Sequence, residues 1–177
     1  MFSAELEYLR RHSLRSLLNQ ALNVLTVLST SLALWKGLSL LVDSESPVVV
    51  VLSGSMEPAF YRGDLLFLSM PKGPLNVGDI VVYNPIYGGT PIVHRILETH
   101  DGFAGPDQQI LTKGDNNDQD DIGLYGGPRW LTRKQIVGKV TAYVPHVGYA
   151  TIVLNDYPKL KYLMLAGLGA SVIFTNE

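Results

Sequence analysis

The hydrophobic pattern of the chain changes character twice. Ser16–Trp35 carries no formal charge and lies between Arg15 and Lys36. At ~1.5 Å rise per residue these 20 residues reach roughly 30 Å, the hydrocarbon thickness of a bilayer. Leu38–Val42 extends the apolar character past Lys36, whose long stem can snorkel to an interface. The segment predicts a transmembrane anchor over 16–42. From residue 43 the pattern breaks into short apolar runs separated by Gly, Pro, Asn and Asp. These runs predict strands at Val48–Leu52, Leu65–Ser69, Ile80–Tyr83, Ile92–Leu97, Ile110–Lys113 and Ile136–Val144. Two of them start alike, with Gly63-Asp64 before LLFL and Gly78-Asp79 before IVVY. The unbroken run Val48–Leu52 reads as a fully buried strand. No helical periodicity appears in this region.

The chain then closes on Tyr162–Phe174, YLMLAGLGASVIF, after Lys159 and Lys161. It is too short for an ordinary span and suits an interfacial or partly inserted helix, or one packed on the domain itself. The fold expected is mainly β: an antiparallel β-domain with an N-terminal transmembrane helix and a short C-terminal hydrophobic helix. The expected organisation is an N-terminal segment 1–15, the anchor 16–42, the β domain 43–158 and the hydrophobic tail 159–177. Arg10, Arg11 and Arg15 precede the anchor, and Asp43 and Glu45 follow it. The positive-inside rule then leaves the N-terminus in the cytosol and the β domain across the membrane. An uncleaved anchor fits better than a signal peptide, because no A-x-A site follows the apolar stretch.

Composition narrows the partners. Among 177 residues, 46% are hydrophobic and only 17% charged, which agrees with a membrane segment. A net charge of −2 without a basic excess argues against nucleic acid. The chain has no cysteine, so disulfides and thiolate metal sites are excluded.

The candidate chemistry starts at Ser53-Gly54-Ser55-Met56, where the first β run ends. A serine beside a glycine at a strand end is either a turn or a nucleophile that a substrate backbone can approach. A nucleophilic serine needs a base. His12 precedes the anchor, His100 sits in a polar stretch, and His146 lies near the tail. In PIVHRIL, alternation places Ile92, His94 and Ile96 on one face and Val93, Arg95 and Leu97 on the other. His94 is thus half-buried, as a core histidine or as a base. Four aspartates, Asp115, Asp118, Asp120 and Asp121, crowd the loop after Lys113. As a calcium loop it fails, because position six is Asp120 rather than Gly and position twelve is Gly126 rather than Glu. One carboxylate can instead orient a histidine.

Taken in order, Ser53-Gly54-Ser55-Met56-Glu57-Pro58, Gly63-Asp64, Val93-His94-Arg95, Lys113-Gly114-Asp115-Asn116-Asn117 and Asp120-Asp121 resemble the type I signal peptidases. They are most similar to the catalytic subunits of the eukaryotic endoplasmic reticulum complex. The resemblance covers nearly the whole chain, including NDYPKLKY (Asn155–Tyr162) before the tail. It implies a membrane-bound serine endopeptidase that removes signal peptides from preproteins, with its β domain lumenal. It implies Ser55 as nucleophile, His94 as base and Asp121 as the orienting acid, with Asp115 next in rank. It further implies Ser53 and the Ser55 N–H as the oxyanion site, with no metal or cofactor. The bacterial relatives use a lysine where this chain has His94, and an imidazole titrates near neutral pH without desolvation. The implied partners are preprotein signal peptides, smaller non-catalytic subunits and membrane lipid. Two alternatives stand beside this reading: a Ser–Lys dyad using Lys72 or Lys113, and a non-catalytic membrane scaffold of the same fold.

Overall fold

The computed structural model describes residues 14–100 and 108–174. Arg10, Arg11 and His12, with most of the expected 1–15 segment, lie outside the described residues. The chain divides into two compact units, Met1–Leu41 and Val42–Glu177.

The first unit, as described, is helix α1, Leu14–Val42, up to Leu41. Its stretch Leu18–Val42 is long and apolar enough to cross a membrane. Leu18, Leu22, Val24, Leu25 and Val27 are all exposed, so the apolar surface has no protein cover among the described residues. Three hydroxyls within it are satisfied locally. Thr26 donates to Leu22 O, Thr30 to Thr26 O and Ser31 to Val27 O, each at 2.8 Å. A helix in lipid requires such internal pairing.

The second unit is built on one antiparallel sheet. Its strands are β1 (Val48–Val50), β2 (Leu65–Ser69), β3 (Ile80–Tyr83), β4 (Ile92–His100), β5 (Gln109–Lys113), β6 (Leu131–Thr132) and β7 (Ile136–Val144). The order across the sheet is β1-β2-β7-β3-β4-β5-β6. Strand β7 is therefore inserted between β2 and β3. Its C-terminal part pairs with β2, from Leu65↔Val144 to Ser69↔Lys139, and its N-terminal part with β3.

The two Gly-Asp starts are one turn used twice. Gly63 and Gly78 share φ +92°, a conformation that glycine adopts without steric cost. Asp64 Oδ2 accepts the Tyr61 N–H at 2.9 Å, and Asp79 Oδ2 accepts the Asn76 N–H at 3.0 Å. Each aspartate then reaches the β7 region. Asp64 Oδ1 accepts the His146 N–H at 3.1 Å, and Asp79 pairs with Lys139 Nζ at 2.7 Å.

The expected strand Val48–Leu52 is corrected by the structure. Only Val48–Val50 pair, they are half-buried, and Leu52 is exposed. The strand stands at the sheet edge, with β2 on one side only. Val49 and Val50 line a groove instead of a sealed core.

Two apolar clusters support the sheet. Val51, Met56, Phe60, Leu66, Leu68 and Val82 form one. The other gathers around Val81, Tyr83, Ile96, Ile110, Tyr125 and Leu131. Val82 belongs to one cluster and its neighbours Val81 and Tyr83 to the other, as strand alternation requires.

After β7 come α2, Tyr149–Asp156, and α3, Pro158–Phe174. The helix α2 has no counterpart in the expected pattern, and α3 starts before the expected Tyr162. Pro158 opens α3 at the position where its missing N–H is harmless. At ~1.5 Å per residue the 17 residues of α3 reach about 25 Å, still short of a bilayer core.

Candidate active site

The site is assembled from three loops and strands. Beyond β1 the chain turns through Ser53-Gly54-Ser55, and buried Met56 anchors the turn in the core beside Val51 and Phe60. That apolar plug explains the methionine after the serine: it fixes a loop whose serine stays accessible.

His94 lies on β4 opposite Val81 and is 2% exposed. Its Nε2 is 3.0 Å from Ser55 Oγ, and its Nδ1 is 2.5 Å from Asp121 Oδ2. The carboxylate accepts the Nδ1–H, which fixes the tautomer and leaves Nε2 to accept the Ser55 O–H. Asp121 is fully buried, and its own N–H donates to Thr112 O at 3.0 Å. Thr112 Oγ1 also donates to Asp121 Oδ2 at 2.7 Å. The Tyr125 hydroxyl takes the Thr112 N–H at 2.7 Å and lies 3.0 Å from Thr112 Oγ1. The Tyr83 hydroxyl and Asp121 Oδ1 are buried without a hydrogen-bond partner among the described residues. Burial, and then the charge of Asp121, push the Tyr83 phenol far above its usual value. Burial raises the Tyr125 phenol in the same direction. Both rings stay neutral and wall the carboxylate from water.

Asp115 does not join this line. Arg95 Nε donates to Asp115 Oδ1 at 2.8 Å and Nη2 to Oδ2 at 2.6 Å. That bond holds the Arg95 guanidinium above its already high value. Ser53 Oγ stands 3.2 Å from Ser55 Oγ. The Ser55 N–H donates to no acceptor among the described residues. Gly114 makes room for the assembly: a Cβ there would meet Ser55 O at 2.7 Å and His94 Nε2 at 2.8 Å.

Neither candidate lysine reaches the serine. Lys72 is in an exposed bend after β2. Lys113 is the Cα partner of Arg95, so it shares the face of β4 and β5 that His94 does not. His100 instead packs edge-on against Trp130 at 4.4 Å, and His146 stacks on Tyr149 at 6.1 Å. No group of three metal-ligating side chains exists among the described residues. Thr112, Tyr125, Tyr83 and Asn116 carry no signal in the pattern analysis, apart from Asn116 lying inside KGDNN.

Beside Ser55 runs an apolar groove of about 460 Å³. Val50, Leu52 and Met56 line one side, and Pro91, Ile92 and Val93 another. Fold and side chains are those of a serine hydrolase.

Comparison with known proteins agrees. A family profile described as "Signal peptidase C-terminal short helix" matches residues 149–174, which cover α2 and α3. The chain is 53% identical to the signal peptidase complex catalytic subunit SEC11 of Schizophyllum commune over 100% of both chains. It is 50% identical to human SEC11C, covering 96% of this chain and 88% of that one. It is also 50% identical to sec11 of Dictyostelium discoideum, covering 89% and 88%. The chain belongs to the family of signal peptidase complex catalytic subunits.

Proposed function

We propose that this chain removes signal peptides as the catalytic subunit of a membrane complex, with Ser55 as nucleophile, His94 as base and Asp121 as the orienting acid. One observation carries the reading: the continuous line Ser55 Oγ, His94 Nε2, His94 Nδ1, Asp121 Oδ2, with gaps of 3.0 and 2.5 Å.

Ser55 Oγ attacks the scissile carbonyl carbon while His94 Nε2 takes its proton. Asp121 balances the imidazolium charge. Ser53 O–H and Ser55 N–H receive the oxyanion. Collapse breaks the C–N bond, and His94 returns the proton to the leaving amine. A water molecule, deprotonated by His94, then splits the acyl-enzyme and frees Ser55. A non-catalytic scaffold would have no need of a buried histidine–carboxylate pair aimed at an accessible serine.

The substrate enters extended. The free edge of β1 offers backbone groups to a cleavage-site segment, and the apolar groove beside it takes alternate small side chains. The chain lies once across the endoplasmic reticulum membrane through α1, with its N-terminus cytosolic and its β domain lumenal. Basic residues before α1 and acidic ones after it support that orientation. Helix α3 meets lipid or the smaller subunits through its exposed leucines. The organisation is that of 1–15, 16–42, 43–158 and 159–177 as four functional segments.

The test is cleavage of a reporter preprotein by the purified complex, wild type against Ser55→Ala. The variant assembles and leaves the reporter uncut. Wild-type processing by it, with endogenous enzyme excluded, overturns the assignment.

A further inference from the structure

We propose that Asn116 is a positioning residue that sets the direction of the Ser55 N–H, and through it the oxyanion site. The proposal rests on the Ser55 reading above and deepens it.

One peptide plane decides where the Ser55 N–H points. The bond between Gly54 and Ser55 is trans, so its C=O and N–H point in opposite directions, and fixing one fixes the other. The Gly54 carbonyl accepts from Asn116 Nδ2 at 3.1 Å and from the Glu57 N–H at 3.2 Å. The two differ in kind. The Glu57 bond closes the serine turn on itself and moves with it. The Asn116 bond comes from the loop after β5 and ties the plane to the rest of the site. A second bond reinforces it, because the Asn116 N–H donates to Ser55 O at 2.9 Å. Asn116 therefore holds the carbonyls on both sides of the Ser55 N–H, while that N–H is left without an acceptor.

Such a clamp is needed at this point. Glycine gives the backbone before the plane more rotational freedom than any other residue. Without an outside reference the N–H can tilt away from where charge develops. The same loop also contacts the base, since Gly114 lies against His94 Nε2. Base, nucleophile and oxyanion donor are thus referenced to Lys113-Gly114-Asp115-Asn116-Asn117. The motif gains a physical reason for its first asparagine, Asn116.

The experiment compares Asn116→Ala and the isosteric Asn116→Asp with wild type in the purified complex. Asn116→Asp replaces the donor by an acceptor facing the Gly54 carbonyl. Removing an oxyanion donor outright lowers turnover ~10²–10³-fold, and misdirecting one lowers it less, about 10- to 100-fold. The expected result is that loss in kcat, with KM within about threefold. A peptide aldehyde, whose carbon is attacked by Ser55 Oγ, loses affinity by the same factor as kcat/KM. An uncleavable peptide of matching sequence binds as before. Wild-type kcat in both variants overturns the proposal, and so does a peptide affinity that falls in step with kcat. Ser55→Ala serves as the separate control: if it is inactive while both Asn116 variants are normal, only the clamp fails.

Discussion

Arg95 clasps Asp115 through both ends of its guanidinium, on the face of β4 opposite the His94 imidazole. The neighbouring residues His94 and Arg95 thus each take one carboxylate from the same acidic loop. His94 takes Asp121 on the buried side and Arg95 takes Asp115 on the outer side. The loop is pinned to both faces of one strand.

Asp121→Asn removes the charge that balances the imidazolium and disturbs the tautomer. Turnover should fall on the order of 10³-fold or more, by comparison with the same change in other triads. Asp115→Asn keeps a neutral hydrogen bond to Arg95 and should lose about tenfold at most, with stability changed by less than about 1 kcal/mol. Single-turnover cleavage by both variants, with melting curves, decides the ranking; equal mild losses return the loop to a solvated turn.

Thr112→Val deletes a donor to Asp121 Oδ2. The carboxylate that orients His94 loses one of its two fixing bonds. Turnover should therefore fall about tenfold, with KM nearly unchanged. Leaving the buried Tyr125 hydroxyl short of a partner costs about 1–3 kcal/mol of stability. Wild-type kcat in a folded Thr112→Val variant argues against Thr112 acting through the carboxylate.

Gly114→Ala puts a methyl group against Ser55 O and His94 Nε2 at under 3 Å, where neither a backbone oxygen nor a buried ring can yield. A displacement of about 1 Å between reacting groups costs on the order of 10²-fold in rate. Gly73→Ala is the matched control, because nothing lies within 4 Å of its added carbon. Comparable activities in the two variants would show that the close approach is not needed.

Val93→Phe narrows the apolar groove without touching the hydrogen-bonded line. Reporter cleavage should drop about tenfold in kcat/KM, mainly through KM, as uniform binding is lost. Labelling of Ser55 by a small fluorophosphonate should proceed at the wild-type rate. Unchanged cleavage by this variant would remove the groove from substrate binding.

Much of this architecture is written in local pattern. β2, β3 and β7 begin and end where their apolar runs do: Gly-Asp turns open β2 and β3, and Pro71, Pro85 and Pro145 follow the three strands closely. Val48–Leu52 misleads, since a run of valines looks alike in a sealed core and along a groove; only the sheet order makes β1 an edge. Helix α2 hides because Tyr149–Asp156 buries a single side chain, Ile152, and so shows no periodic face. At the site, Ser55 and His94 stand out through motif and alternation. Asp121 and Asp115 are equivalent in spacing arguments. What separates them is the path of the loop, which brings the Asp121 N–H back onto Thr112 O and turns its side chain inward. Thr112 and Tyr125 were illegible because one more buried threonine or tyrosine in a β domain is unremarked until its hydroxyl is seen.

Strand β7, the last to be synthesised, is also the one that joins β1–β2 to β3–β6. A growing chain that has reached Asp121 already contains Ser55, His94 and the aspartate. It does not yet contain the strand that brings their two halves of the sheet together. The seven-stranded order therefore closes only once β7, which ends at Val144, is part of the chain. The serine turn and the aspartate loop sit on opposite sides of that late strand, so their meeting is the last step the strand order allows.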